Sequence, residues 1–538
     1  MDGSNFRPVS YSDTLIAFPS RRRAASASKG QPVLKFILRR IGASALVLLG
    51  ASVLMFVLTI KSGDPLQDLN ESNDPNRDAL IAERTERMRL DDTWYERYWD
   101  WLSGVGGCFT GSCDLGVTVN GIDVLNLTQQ AAASTLRLIT LSTLLAIVVG
   151  VALGILTAIR QYSGFDYTVT FSAFLFFSLP VFWAATLLKE YAAIQYNNWI
   201  AVGQYAPWTI VIVGLLAGFL LQAVLGGSAR RRIVTAATAF AFVTVVLFAF
   251  NALDWWRDPM FGIGGVLVVS AAAGVLVTAL VAGLRNRRAL YAALTTVVVG
   301  VIAYLVTAPL LVNEPSWLLL IGLFVIAVVV SVAVGAAWGG YARKQSMLVS
   351  GITGVITSIM VVADLLIAHW SSFLGLKSRP ISTIGSQTPN FNGEFWERAL
   401  DMGTQILLPT ILLTLVSVAT HSRYTRSSML ETLNQDYVRT ARSKGLSERE
   451  VIVKHAFRNA LIPITTIVAF DFAALIGGAI ITEQVFGWKG MGALFQDGLR
   501  AVDPAPVMAF FLVTGIAAVL MNLLADIAYA ALDPRIRR

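Results

Sequence analysis

Twelve times along this chain of 538 residues, about twenty residues pass with almost no charge. A helix of that length rises far enough to cross the hydrocarbon of a bilayer, and one that is apolar all round has no face to turn toward water. The runs fall near 41–60, 138–159, 165–188, 207–226, 233–252, 262–284, 289–311, 317–339, 347–368, 405–422, 463–484 and 507–530. With 55% hydrophobic and 14% charged residues, the chain lies well away from soluble domains, in which roughly a quarter of residues are charged. The expected fold class is an all-α integral membrane protein. The formal net charge of +8 does not point to nucleic acid, because the basic residues sit between apolar runs, in a pattern of topology.

Orientation follows from where those cations collect. With the N-terminus inside, 28 of the 42 Lys and Arg residues fall in inside segments, and the short loops divide most sharply. Arg230, Arg231 and Arg232, then Arg285, Arg287 and Arg288, then Arg343 and Lys344 lie inside, whereas the facing loops "LDWWRDPMF" and "NEPSW" carry one cation or none. Both termini are therefore expected in the cytoplasm. Residues 1–35, with "PSRRRAASASKGQP", read as a disordered basic tail with no secretory signal before the first span.

The long loop 61–137 is then expected outside, and it holds both cysteines, Cys108 and Cys113. They read as a disulfide if that loop meets an oxidising compartment, or as two free thiols if it does not. A zinc site is not expected: none of the three histidines lies near them in sequence. Enzymatic readings fare no better. The sequence has no G-x-x-x-x-G-K-[ST] phosphate loop, no H-E-x-x-H and no G-x-S-x-G, so no catalytic residue, metal or cofactor is assigned to this chain.

One block, "YVRTARSKGLSEREVIVKHAFRNALIP" (437–463), breaks the apolar pattern. Its six basic residues would cost roughly 15 to 20 kcal/mol in the middle of a bilayer, so it does not cross. Leu430, Leu433, Tyr437 and Ala441 recur at helical spacing, and Gly445 follows "SK" where a left-handed C′ residue is wanted. Ser447 and Glu450 then form an S-x-x-E capping box, Leu446 and Val451 are spaced as a staple, and Val453, Phe457 and Leu461 continue an apolar face. The expectation is helix, glycine turn, helix. Such an elbow serves either as a basic surface helix held by anionic lipid or as a docking element for a soluble partner.

The block "DYVRTARSKGLSEREVIVKHAFRNALIP" resembles the cytoplasmic EAA-type loop in permease subunits of ABC importers, in the branch that carries dipeptides, oligopeptides and nickel. "FILRRIGASALVLLGASVLMFVLTIKSGDP" is similar to that family's first span, "FFSLPVFWAATLL" to its third, "EQVFGWKGMGALFQDGLRAVDPAPVM" to its outer re-entry and "NLLADIAYAALDPRIR" to its C-terminus. The resemblance covers roughly 36–205 and 372–538. It implies a type I ABC importer core of six transmembrane helices, with alternating access driven by two separate ATPase subunits that hold ATP and Mg. It also implies a second related permease, an extracellular or lipid-anchored substrate-binding protein and residence in the bacterial cytoplasmic membrane, in contact with lipid and with no nucleic acid. Residue by residue, Arg439, Thr440 and Ala441 take the Glu-Ala-Ala place, Lys444 and Gly445 make the turn, and Leu446, Ser447, Glu448, Arg449 and Glu450 enter the ATPase-docking helix. Two positions depart from the family: Arg439 stands where an acid is usual, and Lys489 stands where proline is usual.

A six-span core leaves about six helices, 206–371, as an insertion between the third and fourth core spans. An even number keeps the core's orientation. The resulting domain reading is a tail (1–35), a first core half (36–205), the insertion (206–371) and a second core half (372–538) with its coupling loop at 425–462. Among acids expected within the membrane, Asp471 and Asp526 face the permease interior or bond neighbouring helices, Asp471 is also a candidate for the transport path, and Asp364, near His369, is a candidate for a role in the inserted block. Peptides are the expected cargo, with nickel or small glycans as alternatives. A stand-alone secondary transporter is the competing class, although the two matching halves it calls for are not found, and a scaffold subunit is a third reading.

Overall fold

The computed structural model of the chain describes residues 33–532. Within them every regular element is a helix, apart from one antiparallel bridge between Val117 and Asp123. The tail expected over 1–35 lies outside the described residues up to 32, and residues 33–35 already belong to the first helix, Val33–Ile60. Eleven helices are long and apolar enough to cross a membrane, and one sharply bent pair makes a twelfth candidate.

That bent pair corrects the reading of 165–188 as a continuous span. The helix Gly164–Ser178 stops at Leu179, and the chain resumes as Val181–Ile200 after a turn of 104°. Pro180 is the cause. It has no N–H to donate and forces the residue before it out of the helical region, and Leu179 accordingly sits at φ −74°, ψ 126°. The second limb carries Lys189 and Glu190 and packs against Val485 and Phe486, and Lys189 Nζ donates to the Val485 carbonyl at 3.2 Å.

Two other helices outrun their hydropathy. Val124–Ile159 has 36 residues and Phe395–Leu433 has 39, against apolar runs near 138–159 and 405–422. At 1.5 Å per residue the longer one rises about 58 Å, nearly twice a bilayer core, so it projects beyond the membrane. These two helices make the most extensive packing in the molecule. Gly150 and Gly154, spaced as G-x-x-x-G, make it possible. A Cβ on Gly150 would come within 2.7 Å of His421 Cβ, and one on Gly154 within 2.5 Å of Thr425 Cβ. The last helix, Pro504–Leu532, lies against both Val33–Ile60 and Arg458–Gly478. The run expected at 463–484 is likewise divided, because Arg458–Gly478 ends at Ala479 and a separate short helix, Ile480–Phe486, follows.

The stretch 206–371 forms a hairpin, Pro207–Leu225 with Ala229–Ala252, and a group of four helices, Gly262–Val281, Arg287–Asn313, Trp317–Trp338 and Arg343–Ala368. Asp364 ties three of the four together. It is 6% exposed and accepts hydrogen bonds from Tyr304 Oη at 2.7 Å and from the Gly262 N–H at 2.6 Å. His369 does not join it; its Nδ1 lies 2.7 Å from its own helix, at the Leu365 carbonyl. The segments on either side of this stretch are held together. Asn197 exchanges two hydrogen bonds with the backbone of Ile381, at 2.8 and 3.0 Å.

Candidate functional site

The charged block is built as helix, glycine turn, helix, with corrections in register. Phe395–Leu433 ends two residues before a separate helix, Asp436–Ser443, begins, so Leu430, Leu433, Tyr437 and Ala441 do not form one stripe. Val438 and Ala441 face inward, and Tyr437 is exposed. Gly445 follows at φ +75°, the left-handed conformation that only glycine adopts without strain, and its N–H donates to the Arg442 carbonyl at 2.9 Å. Ser447 Oγ then accepts from the Glu450 N–H at 3.3 Å. The reciprocal half of the expected capping box is missing, because the Glu450 carboxylate pairs with Lys454. The second helix opens with Glu448–Glu450 and then widens into a π-type stretch, Val451–Phe457, in which Val451 and Ala456 rather than Val453 are buried. Val453 points outward.

The inner side of the elbow is an apolar seat. Val438, Ala441, Val451, Ala456 and Ala460 pack with Met429 of the long helix and Ala158 at the end of Val124–Ile159, and Leu446 and Phe457 rest on the same cluster. Its outer side is polar. Arg439, Thr440, Arg442, Lys444, Ser447, Glu448 and Arg449 are exposed, and Arg442 Nε reaches across the turn to Glu448 Oε1 at 2.9 Å. Among the described residues Lys444 and Arg449 have no carboxylate partner within 4.0 Å. The elbow therefore couples an apolar face sunk into the helix bundle to a cationic face that is free for a partner.

Three links run from this seat into the bundle. Ser428 Oγ donates to the Ala460 carbonyl at 3.0 Å. Arg426 grips Asp166 in a two-pronged ion pair, 2.9 Å for each bond, at the start of Gly164–Ser178. The elbow also continues without a break into Arg458–Gly478, which carries Asp471, and Asp471 Oδ2 lies 3.1 Å from Nε2 of the fully buried His421. Asp471 thus makes the contact with a neighbouring helix that was one of its expected alternatives. Asp526 likewise pairs with Arg40 of the first helix.

The opposite face is closed by the segment that resembled an outer re-entry. Glu483, 1% exposed, accepts from Thr135 Oγ1 at 2.7 Å and from the Ala493 N–H at 3.0 Å, while Thr135 Oγ1 also accepts from the Met491 N–H at 2.8 Å. Burial pushes the Glu483 carboxyl up from its ordinary range despite these donors. The turn itself is made by Gly487 in the left-handed region and by buried Trp488, and Lys489, the departure from proline, simply points outward. Asp503 heads the last helix. It accepts from the Val119 N–H at 2.7 Å and from the Ala505 N–H at 3.2 Å, and burial pushes it up to about 6 even with Arg97 and Arg84 nearby. On this face, too, the Cys108 and Cys113 sulfurs lie at bonding distance.

Comparison with known proteins places this geometry. The oligopeptide transport system permease protein OppB of Mycobacterium tuberculosis is 37% identical over 222 residues, 40% of this chain and 67% of its own length. Residues 274–538 match the family described as binding-protein-dependent transport system inner membrane component. The chain belongs to that family. Other members include the glutathione transport system permease protein GsiC of Escherichia coli strain K12, 33% identical over 226 residues (41% of this chain, 68% of its own). AppB of Bacillus subtilis, an oligopeptide transport system permease protein, is 46% identical over 131 residues, 24% and 42% of the two chains. The chain is thus the membrane permease subunit of an ABC-type transport system, a transporter component rather than an enzyme, with helices beyond the family's core.

Several residues of this permease escaped the sequence reading. Glu483, Asp503 and the Asp166–Arg426 pair each depend on a partner more than 250 positions away, and no local pattern marks them. Gly150 and Gly154 are different, since G-x-x-x-G inside an apolar run is a signal that can be read directly.

Proposed function

We propose that this permease carries peptides across the bacterial cytoplasmic membrane by alternating access, with its elbow docked on one of two separate ATPase subunits. The carrying observation is the elbow's division into a buried apolar seat and an exposed cationic surface, held by Gly445. Arg439, Thr440, Lys444, Gly445, Ser447, Glu448 and Arg449 form the docking surface, while Ala441, Leu446 and Glu450 hold its shape. The elbow face is cytoplasmic, as are both termini. A second, related permease completes the path, and a substrate-binding protein, lipid-anchored or free, delivers cargo at the opposite face.

When the ATPase subunits close, the elbow moves as a unit, because its seat is continuous with three helices. Ala158 carries displacement into Val124–Ile159, Met429 into Phe395–Leu433, and the unbroken backbone into Arg458–Gly478. The His421–Asp471 contact holds the latter two helices in step. Peptide as cargo is supported by the names of the relatives, two of them oligopeptide permeases and one a glutathione permease.

The test is uptake of labelled peptide by the reconstituted complex with its binding protein and ATPases. Uptake is expected to require ATP hydrolysis, and Gly445→Pro, which fixes φ near −65° and removes a donated hydrogen bond, is expected to abolish it while leaving the chain in the membrane. Uptake driven by a proton gradient without ATPases, or normal uptake by Gly445→Pro, overturns the proposal.

A further inference from the structure

The helices of 206–371 divide their charges by face. Their four acids, Asp254, Asp258, Glu314 and Asp364, lie at or near the ends away from the elbow face with one cation, Arg257, whereas Arg230, Arg231, Arg232, Arg285, Arg287, Arg288, Arg343 and Lys344 lie at the ends toward it. None of these eight cations has a carboxylate within 4.0 Å among the described residues. Seven of them stand in the first turns of three helices, Ala229–Ala252, Arg287–Asn313 and Arg343–Ala368, and Arg285 just before the second. Arg287 and Arg288 open the helix Arg287–Asn313, and the Arg288 guanidinium crosses to the turn after Trp317–Trp338, where Nη1 fills the space that a Cβ on Gly340 would need.

Directly beyond this bridge the two helices leave an apolar furrow of about 290 Å³, lined by Tyr291, Leu294, Thr295, Val298 and Trp338. Helical spacing puts Arg287 and Arg288 on the same face as Tyr291, Leu294 and Thr295, one turn toward the membrane surface. Tyr291 and Trp338 frame the mouth, with ring centroids 5.7 Å apart, and both are partly exposed. Cations, then amphipathic rings, then an apolar channel is the order of chemistry met by a phospholipid read from phosphate to acyl chain.

We propose that this furrow is a site for one anionic phospholipid. Its phosphate sits against Arg287 and Arg288, and one acyl chain runs along Leu294, Thr295 and Val298, over the contacting rings of Tyr291 and Trp338. Anionic rather than zwitterionic lipid is favoured, because the guanidinium groups have no carboxylate of their own to neutralise them and an added net negative charge supplies one. That the lipid belongs to the cytoplasmic leaflet rests on the orientation proposed above, which is read separately by labelling Leu284→Cys from either side of sealed vesicles.

The test is native mass spectrometry of the full-length chain, titrated with phosphatidylglycerol and with phosphatidylcholine of the same acyl chains. Wild type is expected to bind one phosphatidylglycerol about tenfold more tightly than phosphatidylcholine. Arg287→Gln/Arg288→Gln is expected to lose that preference, and Leu294→Trp, which keeps every charge but fills the furrow, to lose the bound lipid of both kinds. Arg230→Gln/Arg231→Gln/Arg232→Gln removes more charge from the start of a different helix, Ala229–Ala252, and is expected to change nothing. Equal binding of the two lipids by wild type overturns the site, as does unaltered binding by Leu294→Trp. An equal loss of preference in the Arg230 triple variant overturns it as well, by reducing the effect to general surface charge.

Discussion

Asp503 shows how a single group can report on the architecture. It accepts two backbone N–H groups, yet burial dominates and pushes its carboxyl from 3.8 up to about 6. The folded chain therefore holds a proton that the unfolded chain has already released. The resulting penalty is fully present above about pH 6 and is relieved as pH falls toward 3.8. The thermal stability of wild type relative to Asp503→Asn is thus expected to rise as the buffer goes from about pH 7 to about pH 5. A difference that does not vary with pH would remove this account. At the same scale, Cys108 and Cys113 are expected to resist alkylation until a reductant is added, since their sulfurs are at bonding distance on the face assigned to the cell exterior. Ready labelling without reductant would show free thiols.

Among the elements, the seam between Val124–Ile159 and Phe395–Leu433 carries the most consequence, because both helices contribute to the seat of the elbow. It depends on Gly150 and Gly154, where the facing backbone and Cβ atoms leave no room for a side chain. Gly154→Leu is expected to cost about 1 to 3 kcal/mol by overpacking, or to force the helices apart. Read as a melting temperature in detergent, it should fall well below wild type, whereas Gly42→Leu, where an added Cβ would meet nothing within 4 Å, should not. Equal melting of the two variants would mean that the seam is not close-packed.

For the molecule as a whole, the question is whether 206–371 is part of the machine or an addition to it. The hydrogen bonds between Asn197 and Ile381 hold the segments on either side of it together, the geometry from which a segment can loop out and return without altering the rest. A chain in which 206–371 is replaced by a short Gly/Ser linker is expected to insert in the membrane and to bind its ATPase subunits with unchanged affinity, measured by co-purification. Loss of both would show that the inserted helices hold the core together. The contacts that would be cut include the Arg160 bond to the Val224 carbonyl, the Trp396 indole bond to the Leu311 carbonyl, the two bonds between Asn251 and the Tyr205 backbone, and the Trp256 ring against Trp199 and Tyr205.

The number of membrane helices and the existence of the elbow were legible in the sequence because both rest on local rules. A bilayer demands about twenty apolar residues per crossing, and a capping serine and a left-handed glycine mark a turn within a few positions of themselves. What escaped was set by partners distant in the chain. The sequence contains Pro180 but not the angle it produces, and it suggests Val453 as a buried position because a regular helical period takes no account of the π-type stretch in which it lies. It singles out Asp364 and Asp471 as costly charges in a membrane. Only the tertiary structure supplied Tyr304 and the Gly262 N–H for the first and His421 for the second. The sequence by itself determined that this chain crosses a membrane and about how many times, through the transfer energy of each run. Tertiary structure decided which polar groups meet, because a buried charge is tolerated only where folding brings it a partner.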